Sequence, residues 1–200
     1  MSNTAPLNIA PVDSLGNWSQ PWREYFNQSD SYDFLGLKTF SASSSETLIL
    51  HNAAKYSKIV IELFDVIRSS STTLLLRTSA DSGATFATGS GNYRWAIDYL
   101  SGAAAASTNA NSSSTATSIQ LSGTNSTNAI QGKIEIYSAD TTTTKTMFLY
   151  DTICAQTYPE RVRGAGQRDT SAAVNAIQVL PGTGTITSGA MLAYGVKRQT

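Results

Sequence analysis

The strongest pattern along the chain is alternation with period two, and it becomes regular from Gly36 onward. Leu37-Lys38-Thr39-Phe40-Ser41-Ala42 alternates, and Thr47-Leu48-Ile49-Leu50 is a short apolar run. In Lys58 to Asp65, Ile59, Ile61 and Leu63 share one face while Val60, Glu62 and Phe64 share the other. That strand is therefore expected to be partly covered on both sides. Further strand patterns are Thr72 to Thr78, Asn92 to Ile97, Lys133 to Tyr137, Thr146 to Ile153, Ala173 to Leu180 and Ala190 to Val196. Asp81-Ser82-Gly83, Pro181-Gly182-Thr183-Gly184 and Ser188-Gly189 carry turn chemistry between them. No stretch after Gly36 reads as a capped helix. The pattern predicts an all-β fold of about eight to ten strands, an antiparallel β-sandwich or jelly roll.

Three stretches depart from this rhythm. Residues 1–35 sustain neither period and hold Pro6, Pro11 and Pro21 with Trp18, Trp22, Tyr25, Phe26, Tyr32 and Phe34. They read as an extended N-terminal anchoring arm ahead of a sandwich domain over 36–200. So many aromatic rings leave apolar area to cover, either on the chain's own domain or on a neighbouring subunit. Ser101 to Ser118 is rich in Ala, Ser, Thr and Asn and reads as a long surface loop, either mobile or binding. Pro159 to Asp169 reads as a second polar loop, with Arg161, Arg163 and Arg168 close together. Those guanidinium groups either pair with neighbouring Glu160 and Asp169 or meet an acidic sugar or a partner's carboxylate.

Composition narrows the possible chemistry. Of 200 residues, 27 are Ser and 25 are Thr, and Lys plus Arg equal Asp plus Glu at 14 each. A formally neutral chain with pI near 6.6 lacks the basic footprint of a nucleic-acid or anionic-lipid binder. No apolar run reaches the roughly 20 residues that span a bilayer, and Met1 to Ala10 does not read as a secretory leader. One cysteine, Cys154, excludes an intramolecular disulfide and a thiolate zinc cluster, and it reads as a buried small hydrophobe. One histidine, His51, reads as structural. No nucleophile elbow or phosphate-binding glycine loop is present. Glycoside hydrolysis needs only two carboxylates, for which Glu62, Asp65, Asp98, Glu135 and Asp151 are candidates. No cofactor and no metal is expected.

Two local motifs remain. Ser79-Ala80-Asp81-Ser82-Gly83-Ala84-Thr85-Phe86 resembles the Asp-box of sialidases. In those enzymes it recurs once per propeller blade, away from the active site. A single copy here reads as a structural turn, with Asp81 accepting backbone N–H groups, Gly83 taking a conformation costly to other residues and Phe86 anchoring it. Tyr93, Trp95 and Tyr99 are candidates for stacking on sugar faces, with core packing the alternative for Trp95.

Leu74-Leu75-Leu76-Arg77-Thr78-Ser79 running into that Asp-box, and Val174-Asn175-Ala176-Ile177 followed by Ser188-Gly189 and Tyr194-Gly195, resemble a domain of bacteriophage virion proteins. The resemblance covers about Gly36 to Lys197, leaving the aromatic arm outside it. It implies a virion structural protein assembled in a bacterial cytoplasm. Such a protein is a tail-fibre or receptor-binding component, or else a capsid decoration, cement or collar protein; a sugar-active hydrolase or lectin is the remaining alternative. The expected partners are its own copies, as a homotrimer, other virion proteins and a host surface glycan. The family's motifs carry no catalytic residues. A Ser/Thr-rich, charge-poor β domain suits assembly by surface contact, because few long charged side chains must be ordered at its interfaces.

Overall fold

The computed structural model describes residues 32–101, 108–123, 127–155 and 159–197. The expected arm through Ser31, with Trp18, Trp22, Tyr25 and Phe26, lies outside the described residues.

Twelve strands follow in order: β1 (Tyr32–Ser43), β2 (Glu46–Ile49), β3 (Tyr56–Arg68), β4 (Leu74–Ser79), β5 (Tyr93–Ser101), β6 (Thr108–Ala116), β7 (Ile119–Gln120), β8 (Ile130–Tyr137), β9 (Met147–Cys154), β10 (Glu160–Arg168), β11 (Ala176–Pro181) and β12 (Ile186–Lys197). A single 3-10 turn, Ala53–Lys55, precedes β3. The strands form two antiparallel sheets that pack as an all-β sandwich. The large sheet has eight strands in the order β1-β12-β3-β8-β9-β10-β5-β6, and the small sheet has four, in the order β2-β11-β4-β7.

The inner faces meet in one apolar core. Ile59, Ile61 and Leu63 of β3, Ile134 and Ile136 of β8 and Phe148 of β9 are buried from the large sheet. Leu74 and Leu76 of β4, Ile119 of β7 and Ile177 and Val179 of β11 are buried from the small one. Burial of this kind is the main favourable term in folding. Cys154 is buried, as expected, and His51 is exposed in the turn after β2.

Three sequence expectations are corrected. The end of the supposed loop at Ser101 to Ser118 is strand β6, paired with β5 at the rim of the large sheet. An edge strand with an open face has little to bury, so Asn, Ser and Thr suffice there and no apolar alternation marks it. The supposed Pro159 to Asp169 loop is β10, an interior strand paired with both β9 and β5. Its Gly-Ala-Gly sequence looks like a breaker, yet Gly164 lies directly opposite Tyr150, where a Cβ would run into the phenol ring. The ring occupies the space that a side chain on β10 would need. The sheet also begins earlier than Gly36: Tyr32 pairs with Val196 and Phe34 with Tyr194, so residues 32–35 belong to β1.

Candidate functional site

The large sheet has a second face, turned away from the core, and antiparallel registers decide what lies on it. On β9, Phe148, Tyr150, Thr152 and Cys154 point inward, which leaves Met147, Leu149, Asp151 and Ile153 outside. Neighbouring strands extend this alternation sideways into rows. One row runs Glu62, Lys133, Asp151, Arg163, Asp98 across β3, β8, β9, β10 and β5. Its charges alternate in sign at every strand, at a spacing of about 4.8 Å. The adjacent row runs Glu135, Leu149, Ala165, Ala96, Ser112 across β8, β9, β10, β5 and β6. Beyond it lie Tyr137, Met147, Gln167 and Arg94.

The middle row is low because Ala165 and Ala96 are small, and the flanking rows stand above it. The result is an open groove across the strands. One hollow of about 920 Å³ lies toward the charged row. A second, of about 880 Å³, lies toward Met147 and Gln167. The two share Ala96, Ser112, Leu149 and Ala165 as a floor.

The charged wall is partly tied to itself. Arg161 Nε donates to Asp151 Oδ1 at 2.8 Å, its Nη2 reaches Oδ2, and Arg163 Nε donates to Oδ2 at 3.3 Å. The Arg161 hydrogen bond holds the Asp151 carboxyl below the ordinary carboxylate range, and Arg163 adds to the effect. Glu135 accepts from Tyr137 at 2.5 Å, from Lys133 at 2.9 Å and from Lys58 at 3.3 Å. Chiefly through the tyrosine hydroxyl, then Lys133, its pKa falls to about 2, while Tyr137 is pushed up to about 12. Asp98 is exposed opposite Arg163 and makes no ion pair among the described residues.

The sequence candidates are distributed unevenly over this geometry. Arg161 and Arg163 stand on the outer face, but their acceptor is Asp151 on the next strand. Asp169, expected to pair with them, instead binds Arg94 at 3.0 Å and Lys145. Arg168 has the opposite parity, is buried, and donates from Nε to Thr170 at 3.1 Å. Tyr93 is fully buried, with its hydroxyl accepting from Thr78 N at 2.8 Å. Tyr99 points inward, half-buried against the core, and its hydroxyl contacts Gln120. Those three positions, expected as ligand contacts, therefore line the interior. Trp95 packs against the core, and Tyr32 and Phe34 are exposed on the outer face of β1.

The carboxylate candidates come together more than expected. Asp98, Glu135 and Asp151 all line the same hollow. Asp65 sits apart at a bulge in β3 with φ 46°, where it accepts from Gln131 at 3.0 Å. Lys133, Leu149, Ala96 and Ala165 were missed as site residues. Only Leu149 carries a signal in sequence, since Met147 to Ile153 is largely apolar on both parities, which marks a strand with two covered or contacted faces.

The Asp-box forms the structural turn expected of it. Ser82 and Gly83 have φ values of 57° and 87°, the second readily adopted by glycine. Asp81 accepts from Ser79 Oγ at 2.6 Å, Thr85 N at 2.8 Å and Thr85 Oγ1 at 2.5 Å. These bonds, the Ser79 one foremost, hold its carboxyl at about 2. Asn175 closes the corner from β11's approach: its Oδ1 accepts from Ser82 N at 2.8 Å and its Nδ2 donates to Ala80 O at 3.0 Å. Phe86 is half-buried beside the turn and lies outside the buried core. Asn175 thus joins the segment before β11 to the Asp-box turn.

No family model, no curated protein and no solved structure matches this chain.

Proposed function

We propose that this chain is a non-enzymatic structural protein of a bacteriophage virion, a tail-fibre or receptor-binding component that works by contact through the outer face of its large sheet. The observation that carries the reading is where the exposed apolar residues lie. Among the described residues nine large hydrophobics are exposed, and all but Ile49 are on that face: Tyr32, Phe34, Leu37, Phe64, Leu100, Met147, Leu149 and Ile153. A face this apolar, interleaved with charges and hollowed by a groove, is the kind of surface that meets a partner. The virion setting rests on the resemblance of the two motifs, which meet at one corner of the fold through Asn175.

Two of the three carboxylates in the hollow argue against the hydrolase alternative. A glycosidase acid must hold its proton near neutral pH. Asp151 and Glu135 are both pulled the other way by the cations and hydroxyl they accept from. A capsid decoration or collar protein is the second reading. The apolar group Tyr32, Phe34 and Leu37 at one rim of the sheet favours it, since aromatic and aliphatic clusters suit protein partners.

The test is binding by the purified protein. A receptor-binding component, expected as a trimer of 21.3 kDa subunits by light scattering, adheres to bacterial cells and blocks phage adsorption. Binding to capsids that lack the protein, with no adhesion to cells, would select the decoration reading. Binding to neither would sink both.

A further inference from the structure

We propose that the outer groove of the large sheet receives this chain's own N-terminal segment, with Phe26 and Trp22 seated across β9, β10, β5 and β6. The contact itself stands apart from the adhesion reading above. Its consequence, that the segment covers the face a partner would use, rests on that reading.

The place where the described chain begins is the first argument. Tyr32 opens β1 at the rim of the large sheet, with its side chain exposed on the outer face. Its register row runs through Val196, Lys58, Tyr137, Met147 and Gln167, and so arrives at the wall of the second hollow. The floor row extends the same way, from Glu135 back through Val60 and Tyr194 to Phe34. A smaller hollow of about 330 Å³, lined by Tyr32, Val60, Glu62, Lys133, Glu135 and Tyr194, links β1 to the groove. The residues before Tyr32 therefore join the sheet at the head of a track that leads across it.

Length is the second argument. Neighbouring strands lie roughly 4.8 Å apart, and an extended chain advances roughly 3.3 Å per residue. An extended segment running back from Tyr32 across the sheet sets Phe26, six residues away, over β9. It sets Trp22, ten residues away, over β6. Being four positions apart, the two rings turn to the same side of such a segment. Beneath them the floor of Leu149, Ala165 and Ala96 is apolar, and its alanines leave room for rings.

Charge is the third. Arg23 is the only Lys or Arg among residues 1–31, and the same reach brings it over β5. There Asp98 stands exposed on the charged wall with no described ion-pair partner. The tether favours the chain's own segment over a second copy's, since a link of a few residues holds Phe26 at roughly millimolar effective concentration.

The experiment is disulfide trapping in the full chain, with Cys154→Ser removing the native thiol. Asn27→Cys is paired either with Leu149→Cys on the groove floor or with Ile49→Cys on the small sheet, both exposed positions. The Leu149 pair should close within one chain at least tenfold faster than the Ile49 pair. Adding Trp22→Ala and Phe26→Ala should slow that closure at least fivefold. Equal rates for the two pairs, closure only between chains, or indifference to Trp22→Ala and Phe26→Ala would each overturn the proposal. Closure only between chains would give the groove to a neighbouring copy's segment. If Leu149→Cys disturbs folding, Met147→Cys on the same strand repeats the test. Cell adhesion tests the consequence separately: the Trp22→Ala, Phe26→Ala protein should adhere several-fold better than wild type. Trapping with no adhesion by either protein sinks the adhesion reading and leaves the contact standing. Adhesion unchanged by the two substitutions overturns the covering role.

Discussion

Two polar clusters in this molecule are each built around an aspartate and end in opposite states. At the β4–β11 corner, Asp81 is saturated by Ser79 and Thr85, and Asn175 binds backbone on both sides of the turn. On the outer face, Asp151 holds Arg161 firmly and Arg163 weakly, and Asp98 stands across from Arg163 without a described ion-pair partner. The first cluster is closed, with its hydrogen-bonding capacity spent on its own turn. The second is open, with donors and acceptors left facing water. A carboxylate motif is informative about function only once its partners have been counted. The Asp-box looks like the sharper signal in the sequence, and it is the one with little left to offer a ligand.

The largest test of that contrast lies beneath the open cluster. Gly164→Leu drives a side chain into the Tyr150 ring, which supports the groove from the inner side. Overpacking of this kind costs about 3 kcal/mol. Chemical denaturation should show that loss, together with loss of ligand binding at the groove. A smaller change is expected from Asn175→Ala, which removes two bonds from the closed corner and should cost about 1–2 kcal/mol while leaving binding untouched.

Asp81→Asn sharpens the same point through pH. The wild-type carboxyl is held at about 2, so its ionised form is favoured by folding. That contribution is complete above the ordinary carboxylate value of about 4 and is lost as pH falls through the folded value. The variant should be less stable than wild type at pH 7, with the gap closing between pH 4 and about 2 in denaturation curves taken at a series of pH values. The smallest stability effect belongs to the open cluster. Arg163→Ala, at an exposed ion pair, should shift stability by no more than about 0.5 kcal/mol while weakening binding. A large stability loss there would show that the outer row is structural after all.

Much of the fold was legible because burial writes itself into alternation. Lys58 to Asp65 and Thr146 to Ile153 are strands in the structure as in the pattern. Strands β6 and β10 were not legible, for different reasons. Residues 108–116 lie at a rim where few apolar side chains are needed, so no period appears. On β10 the missing side chains at Gly164 and Gly166 are supplied by neighbours, Tyr150 and Ile119, and sequence shows only the gaps. The site failed to emerge for the second reason in another form. Arg163 and Asp98 are 65 positions apart in the chain and are brought opposite one another only by register. Parity, once β10 is known to be a strand, also sorts Arg161 and Arg163 from Arg168, which proximity in sequence had grouped together.

The last of the described strands, β12, is inserted between β1 and β3, close to the beginning of the described chain. Until it arrives, β1 has no partner in its sheet and β3 lacks one of its two. The domain therefore closes only after synthesis has passed Lys197, and a ribosomal product cut short before Ile186 keeps two long bare edges. This ordering is a form of proofreading: a chain that lacks β12 does not acquire the finished eight-stranded sheet.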